Sequence, residues 1–291
     1  METKIKDRIV NYWTKRSENF AQLRQEELHS YMSELWLTEI TKYLPQRPCK
    51  ILDVGTGTGF FANLLAQYHH EVEGIDLTAS MIEQAKQSLT KLQQHDYKIN
   101  FQVMDAENLY FADNTFDVVI SRNLTWTLPN PQKAYSEWYR VLKPQGILLN
   151  FDADYGNEQF YQTKIENLPL NHAHRQVKPT LMQECDLIKN SLEISSKIRP
   201  DWDLRILKQL QFKDVFADTN IGQRIYKHQD KFYNPAPVFL IYAKNKLIIY
   251  YYSIYILYGN NHEKIYTTSF TLFNTHFIRY YFIHFYFIAF N

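Results

Sequence analysis

Residues 50–61 read KILDVGTGTGFF, and no other stretch restricts the fold of this chain as much. Lys50 to Val54 is a short apolar run that carries Asp53 near its end, and Gly55, Gly57 and Gly59 follow at every second position. Glycines so spaced let the backbone turn sharply and approach another group closely. The apolar run predicts a buried strand, and residues 60–68 predict the start of a helix. A strand that passes through a glycine turn into a helix is the opening unit of an open α/β sheet with ligands at its carboxyl end. Dinucleotide folds space these glycines G-x-G-x-x-G and hold a pyrophosphate at the helix N-terminus. Here the spacing is G-x-G-x-G, with an acid two residues ahead of the first glycine.

The remaining strands follow at regular intervals. Residues 71–75 predict a second strand that ends in Asp76, 17 residues beyond Gly59 (76 − 59). A helix is expected over 78–94, a third strand over 99–104 ending in Asp105-Ala106, and a fourth over 116–121 ending in Ser121-Arg122-Asn123. A helix over 131–142, the phrase VLKPQG and a fifth strand over 146–151 come next. Two strand-like runs, 214–221 and 238–243, close the body, with Pro235 and Pro237 in the loop between them. Asp53, Asp76, Asp105 and Asn123 all fall at strand ends, where an open parallel sheet binds its ligands. Each acid taken singly reads as a turn or helix-cap carboxylate. Four polar strand ends in register with a glycine loop make a coincidence of caps a poor account.

This order resembles the class I S-adenosylmethionine-dependent methyltransferases, within the methyltransferase type 11 or quinone-methyltransferase-like group. The likeness is close over 51–152 and looser to about 246. It implies a Rossmann-like, doubly wound seven-stranded sheet of order 3-2-1-4-5-7-6 with strand 7 antiparallel, N-terminal helices, and a helical insertion after strand 5. It implies S-adenosyl-L-methionine as cofactor, at Asp53, Gly55, Thr56, Gly57, Gly59, Asp76, Leu77, Met81, Asp105, Ala106 and Asn123. In that family a strand-end carboxylate such as Asp76 takes the ribose hydroxyls, and Asp105-Ala106 stands against the adenine amino group and ring. An acid near the glycine turn suits a sulfonium cation better than a phosphate nest would. The chain departs from the family pattern at Gln145, where a second glycine is common.

The resemblance divides the chain into an N-terminal helical cap (1–45), a methyltransferase domain (46–246) with a helical lid insertion (156–200), and an aromatic tail (247–291). In the cap, apolar residues at helical intervals predict two helices, punctuated by the polar stretch 15–19. In related layouts such helices fold over the cofactor, which makes Tyr12, Trp13 and Arg16 candidate substrate-site residues beside Trp126 and Arg175. Asp152, Asp154, His172 and His174 are the candidate bases, though no catalytic residue is assigned. Two histidines at i and i+2 without further ligands do not make a metal site.

Formal net charge is +1 with basic residues spread along the chain, so no face argues for a nucleic-acid backbone as partner. Cys49 and Cys185 stand alone without a CxxC pair, which favours reduced thiols. The first residues lack the apolar core of a secretory signal, and nothing up to Lys246 is long and apolar enough to span a bilayer, so a cytoplasmic main body is expected. From Leu247 the composition turns abruptly to Tyr, Phe and Ile. That tail reads as translated sequence beyond a lost stop codon, since A/T-rich codons encode these residues, or as a membrane-surface segment.

Methyl transfer from a sulfonium is an in-line displacement in which the protein mainly positions the reactants, so orientation supplies about 7–11 kcal/mol of the barrier. Residues 123–127 (NLTWT) lack the Asn-Pro-Pro-Tyr type motif of several amino-group methyltransferases, which removes support for exocyclic or amide nitrogen as the target. The expectation is a small-molecule acceptor. The alternatives are an RNA-modifying methyltransferase, and a nicotinamide-dependent oxidoreductase or non-catalytic adenosyl-ligand sensor.

Overall fold

The computed structural model describes residues 2–91, 97–156, 160, 168–170, 172, 175, 177–246, 249–256, 266–273 and 281–286. The chain divides into two compact units, Met1–Asn245 and Lys246–Asn291.

In the first unit seven strands form one sheet in the order β3-β2-β1-β4-β5-β7-β6. β1 (Lys50–Val54), β2 (Glu71–Asp76), β3 (Ile99–Val103), β4 (Phe116–Arg122) and β5 (Leu142–Ala153) run parallel. β7 (Val238–Lys244) runs antiparallel to both β5 and β6 (Lys213–Asp218). The predicted sheet order and the reversed seventh strand are therefore both present. β1 lies between β2 and β4, so the chain reverses its direction of winding there, and the crevice at this switch point opens beyond the carboxyl ends of the two strands.

The central strands are nearly continuous in apolar residues because both faces of the sheet are covered. Ile51, Val118, Ile120, Leu149 and Phe151 belong to one core layer, and Leu52, Val54, Val119, Leu148 and Phe239 to the other. The first layer packs beneath α1 (Glu2–Leu28), α2 (Tyr31–Thr41), α3 (Phe60–Ala66) and α4 (Ala79–Lys91); Trp36 meets Phe61 and Phe151 edge-on with centroids 5.3 and 5.4 Å away. The second is covered by α5 (Pro131–Val141) and α7 (Asp201–Gln209), with Tyr135 and Trp138 fully buried.

Local signals explain most boundaries. Asn130 caps α5 by accepting the Lys133 amide at 3.0 Å, and Pro131 occupies its first turn, where no amide donor is needed. Two N-terminal helices are present, but the polar stretch 15–19 does not separate them. Arg16 and Ser17 turn inward there and Lys15, Glu18 and Asn19 outward, so helical periodicity continues through it. The break falls at His29-Ser30, where Ser30 Oγ accepts the Met32 amide and starts α2. The sixth strand stops at Asp218, short of the expected 221, and Ile221 begins the short helix α8 (Ile221–Ile225), in which Ile221 and Ile225 are both fully buried. At the departure from the family pattern, Gln145 adopts φ 65°, the left-handed conformation that a glycine would take without penalty.

Within 156–200 the described residues include α6 (Pro179–Asn190) and a 3-10 turn at Glu193–Ser196. In the second unit, β8 (Ile249–Ile256), β9 (Tyr266–Phe273) and β10 (Tyr281–Tyr286) form a separate antiparallel sheet of order β10-β9-β8. No helix among the described residues is long and apolar enough to cross a membrane.

Candidate functional site

The glycine turn is held open by its own conformation. Gly55 and Gly59 have φ of 66° and 85°, and a Cβ on Gly55 would come within 2.8 Å of the Leu124 side chain. Gly59 is the N-cap of α3 and offers no side-chain acceptor. Asp53 supplies one from the strand instead: its Oδ2 accepts the Ala62 amide at 3.1 Å and the Thr56 hydroxyl at 2.6 Å. Burial among neutral donors pushes the Asp53 carboxyl up to about 7. Asp76 fastens the second strand to the same turn, its two oxygens accepting the Gly57 amide at 3.1 Å and the Thr78 amide at 2.8 Å. Burial raises its carboxyl above the ordinary range, against those two amides. Asp105 Oδ2 accepts from Lys6 Nζ at 2.8 Å and its Oδ1 from the Glu107 amide at 2.9 Å. Asn123 takes φ 54°, its Oδ1 accepting from the Tyr155 hydroxyl at 3.3 Å.

A cavity of about 260 Å³ lies over these strand ends. Its wall includes Asp53, Gly55, Thr56, Gly57, Asp76, Leu77, Met81, Asp105, Ala106 and Asn123, and on the far side Tyr12, Trp13, Arg16, Trp126 and His172. Gly59 is absent from the wall; it shapes the turn from behind, where a Cβ would come within 2.9 Å of Phe101.

Three candidates from the sequence do not reach the cavity. Asp152 is fully buried beneath it, where Oδ2 accepts from Thr125 Oγ1, the Trp126 amide at 3.0 Å and Arg199 Nη1 at 3.1 Å. Arg199 also holds Asp203 at 2.9 Å, and Asp203 in turn accepts from the Tyr135 hydroxyl at 2.7 Å. Although burial opposes it, the two carboxylates hold the Arg199 guanidinium charged, well above its ordinary range. Asp152 is thus a structural ion-pair residue, with its lone pairs committed and no path to an acceptor. Asp154 Oδ1 accepts the Gly156 amide at 3.2 Å in a turn off the wall. Arg175 spends donors on the Leu168 and Pro169 carbonyls, at 2.6 and 2.8 Å, bracing its own loop. His174 lies outside the described residues.

His172 does stand on the wall, and its Nε2 lies 2.7 Å from the Tyr233 carbonyl. A carbonyl partner requires hydrogen on Nε2, which makes Nδ1 the ring's acceptor nitrogen. Burial holds this histidine below its usual value, in the neutral form. Trp126 packs with Tyr155 at 4.8 Å between centroids.

Sequence reasoning missed most of the roof. Lys6, Ile9, Phe20, Leu23 and Arg24 join Tyr12, Trp13 and Arg16 in a single stripe of α1 on the cavity wall. The i, i+3, i+4, i+7 spacing of these residues was the available signal, obscured because three of the eight are basic: Lys6, Arg16 and Arg24. Also missed was Glu27, fully buried and shared by Arg24 and by Arg122, whose Nη2 donates to it at 2.7 Å. Against the cost of burial, the two guanidinium groups hold this carboxyl below its usual range. Arg122 lies 4.3 Å over the Trp36 ring.

Residues 52–150 match the family model described as a methyltransferase domain. Among curated proteins, the chain is 37% identical over 128 residues to the ubiquinone/menaquinone biosynthesis C-methyltransferase UbiE of Rickettsia bellii, covering 41% of this chain and 51% of that one. It is 35% identical over 100 residues to phosphoethanolamine N-methyltransferase 2 of Caenorhabditis elegans, covering 34% and 22%. The chain thus spans about half or less of the length of these relatives. The solved structure of phosphoethanolamine N-methyltransferase 2 of Haemonchus contortus in complex with S-adenosyl-L-methionine has the same fold, with a TM-score of 0.55 at 17% identity over 79% of this chain and 58% of that one.

Proposed function

We propose that this protein, which carries a class I S-adenosylmethionine-dependent methyltransferase domain, moves a methyl group from S-adenosyl-L-methionine to a small-molecule acceptor by in-line displacement. The observation that carries the reading is the glycine turn and Asp76 held together at the switch point of the sheet, under one closed roof.

The residues present fit the cofactor. Asp76 is oriented by two backbone amides at the end of β2, where its remaining lone pairs suit ribose hydroxyls. Gly55 and Gly57 offer bare backbone at the turn, and Leu77, Met81 and Ala106 supply an apolar wall for a purine ring. Asp53 acts through the turn it braces. When bound, the cofactor supplies an activated methyl group on a sulfonium, so the protein's task is to align the acceptor and exclude water. α1 roofs the cavity, and residues 156–200 serve as the acceptor-side lid; in support of this, Met182 and Cys185 of α6 stand on the wall and Arg8 holds Glu184 at 3.0 Å. For an acceptor that must lose a proton, neutral His172 is the base. The catalytic body is 46–246 with 1–45 as its cap, and the tail from 247 takes no part.

The test is calorimetric titration with S-adenosylmethionine and with NAD, followed by incubation with methyl-labelled S-adenosylmethionine and either a metabolite extract or total RNA from the native cell. Label in a small metabolite is the expected result. Label in RNA would move the acceptor to nucleic acid. Tight NAD binding without a response to S-adenosylmethionine would overturn the reading.

A further inference from the structure

Five cationic side chains stand on the cavity wall among the described residues, and four of them have carboxylate partners. Lys6 pairs with Asp105 and Glu107 at 2.8 and 2.6 Å, Arg24 and Arg122 share Glu27, and Lys231 holds Glu26 at 2.6 Å. The exception is Arg16. It is 9% exposed, its Nε is buried without a hydrogen-bond partner, and no carboxylate of a described residue lies within ion-pair distance. A guanidinium on the cavity wall with one nitrogen buried and unpartnered, and no carboxylate of a described residue to match it, has a use for an incoming anion.

The position of Arg16 on its helix decides which ligand that anion belongs to. At about 100° per residue, Lys6, Trp13, Phe20 and Arg24 lie along one edge of the α1 stripe, Tyr12 lies at the other with Arg8 just beyond it, and Arg16 falls between Phe20 and Tyr12. The first edge faces the sheet: Lys6 holds Asp105 at the end of β3, and Phe20 stands 3.4 Å from where a Gly57 Cβ would be. The other edge faces α6: Arg8 pairs with Glu184, Tyr12 stands beside Cys185, and Arg16 is within electrostatic reach of both. Arg16 is therefore turned from the Lys6 and Arg24 edge toward the lid, one helical turn from Phe20.

We infer that the acceptor carries an anionic group, a carboxylate or a phosphate, and that Arg16 is the residue that takes it. The inference rests on the methyltransferase reading, since it assigns the second ligand of the same cavity. Arg175, the other candidate cation of the substrate site, is spent on backbone carbonyls, which leaves the anion to the roof helix.

The full-length protein, saturated with S-adenosylhomocysteine at constant ionic strength in chloride, is titrated calorimetrically with sodium phosphate and, separately, sodium acetate. Binding of at least one of the two in the millimolar range is expected, weakened at least tenfold in Arg16→Gln and within threefold of wild type in Arg16→Lys. Affinity for S-adenosylhomocysteine should stay within twofold in both variants, and Arg16→Gln should unfold near the wild-type temperature, because it breaks no ion pair with a described residue. Which of the two anions binds more tightly names the group. Absence of binding by both, or equal binding by wild type and Arg16→Gln, overturns the inference. So does a tenfold loss of S-adenosylhomocysteine affinity in Arg16→Gln, which would give Arg16 to the carboxylate of the cofactor. Failure of the wild-type protein to bind S-adenosylhomocysteine at all would instead overturn the methyl-donor reading on which the inference stands.

Discussion

Two regions of the molecule end a buried strand on a fully enclosed aspartate, and they treat it in opposite ways. At the end of β1, Asp53 receives only neutral donors, the Thr56 hydroxyl and the Ala62 amide, and its carboxyl rises to about 7. At the end of β5, Asp152 is matched by Arg199, which also ties in Asp203 and the turn at Thr125. The first region stays adjustable in charge beside the cavity; in the second, burial also raises Asp152, but Arg199 opposes it in an ionic clamp that joins α7 and the fifth strand underneath. Position at a strand end does not make an acid a site residue; what lies opposite it does.

The strongest way to break this comparison is Arg199→Ala. It strands Asp152 and Asp203 without a cation in a dry interior, and about 3–5 kcal/mol should be lost in urea unfolding. A loss below about 1 kcal/mol would mean that the clamp is no different from the Asp53 region.

The next effect is one of pH. The folded protein holds the Asp53 proton to about 7, whereas the ordinary value of an aspartate is 3.8. The native state therefore binds more protons across that interval, and stability falls as pH rises through it, by on the order of 2–4 kcal/mol. Asp53→Asn cannot ionise, so the stability difference between wild type and this variant should shrink or reverse from pH 4 to pH 8. A flat difference would mean that Arg122, the cation that opposes the effect of burial, keeps Asp53 ionised across the interval.

Asp76→Ala removes the carboxylate that is fastened to Gly57 and leaves the two amides for water. Calorimetry should record a loss of about 1–3 kcal/mol in S-adenosylhomocysteine affinity. Unchanged binding would remove the ribose role. Smallest is Arg8→Ala, which breaks a half-exposed pair between α1 and α6. Less than about 1 kcal/mol of stability should go, and a larger change would mean that roof and lid are more tightly coupled than their surface contacts imply.

The strands were legible because each is a run of apolar residues closed by a polar one, and Lys50–Val54 was read to the residue, while their order in the sheet was what the family resemblance implied. The glycine turn was legible for the same reason, since only glycine takes its angles freely. The roof was not. Arg16 and Ser17 sit in a stretch of polar residues that reads as a break, and only the neighbouring cavity makes an inward arginine sensible. Asp152 and Asp154 looked equivalent in FDADY, yet one faces Arg199, 47 positions away, and the other a turn. Separation along the chain hides the partner that sets each role.

Periodicity and backbone chemistry are local properties, so the sequence by itself determined the alternating α/β elements and the glycine turn, while the position of the switch point was what the family resemblance implied. Pairing of charges is a property of distance in space. Only the tertiary structure decided that Asp152 is clamped, that Arg24 and Arg122 share one carboxylate, and that Arg16, alone among the described cations of the wall, is left without one.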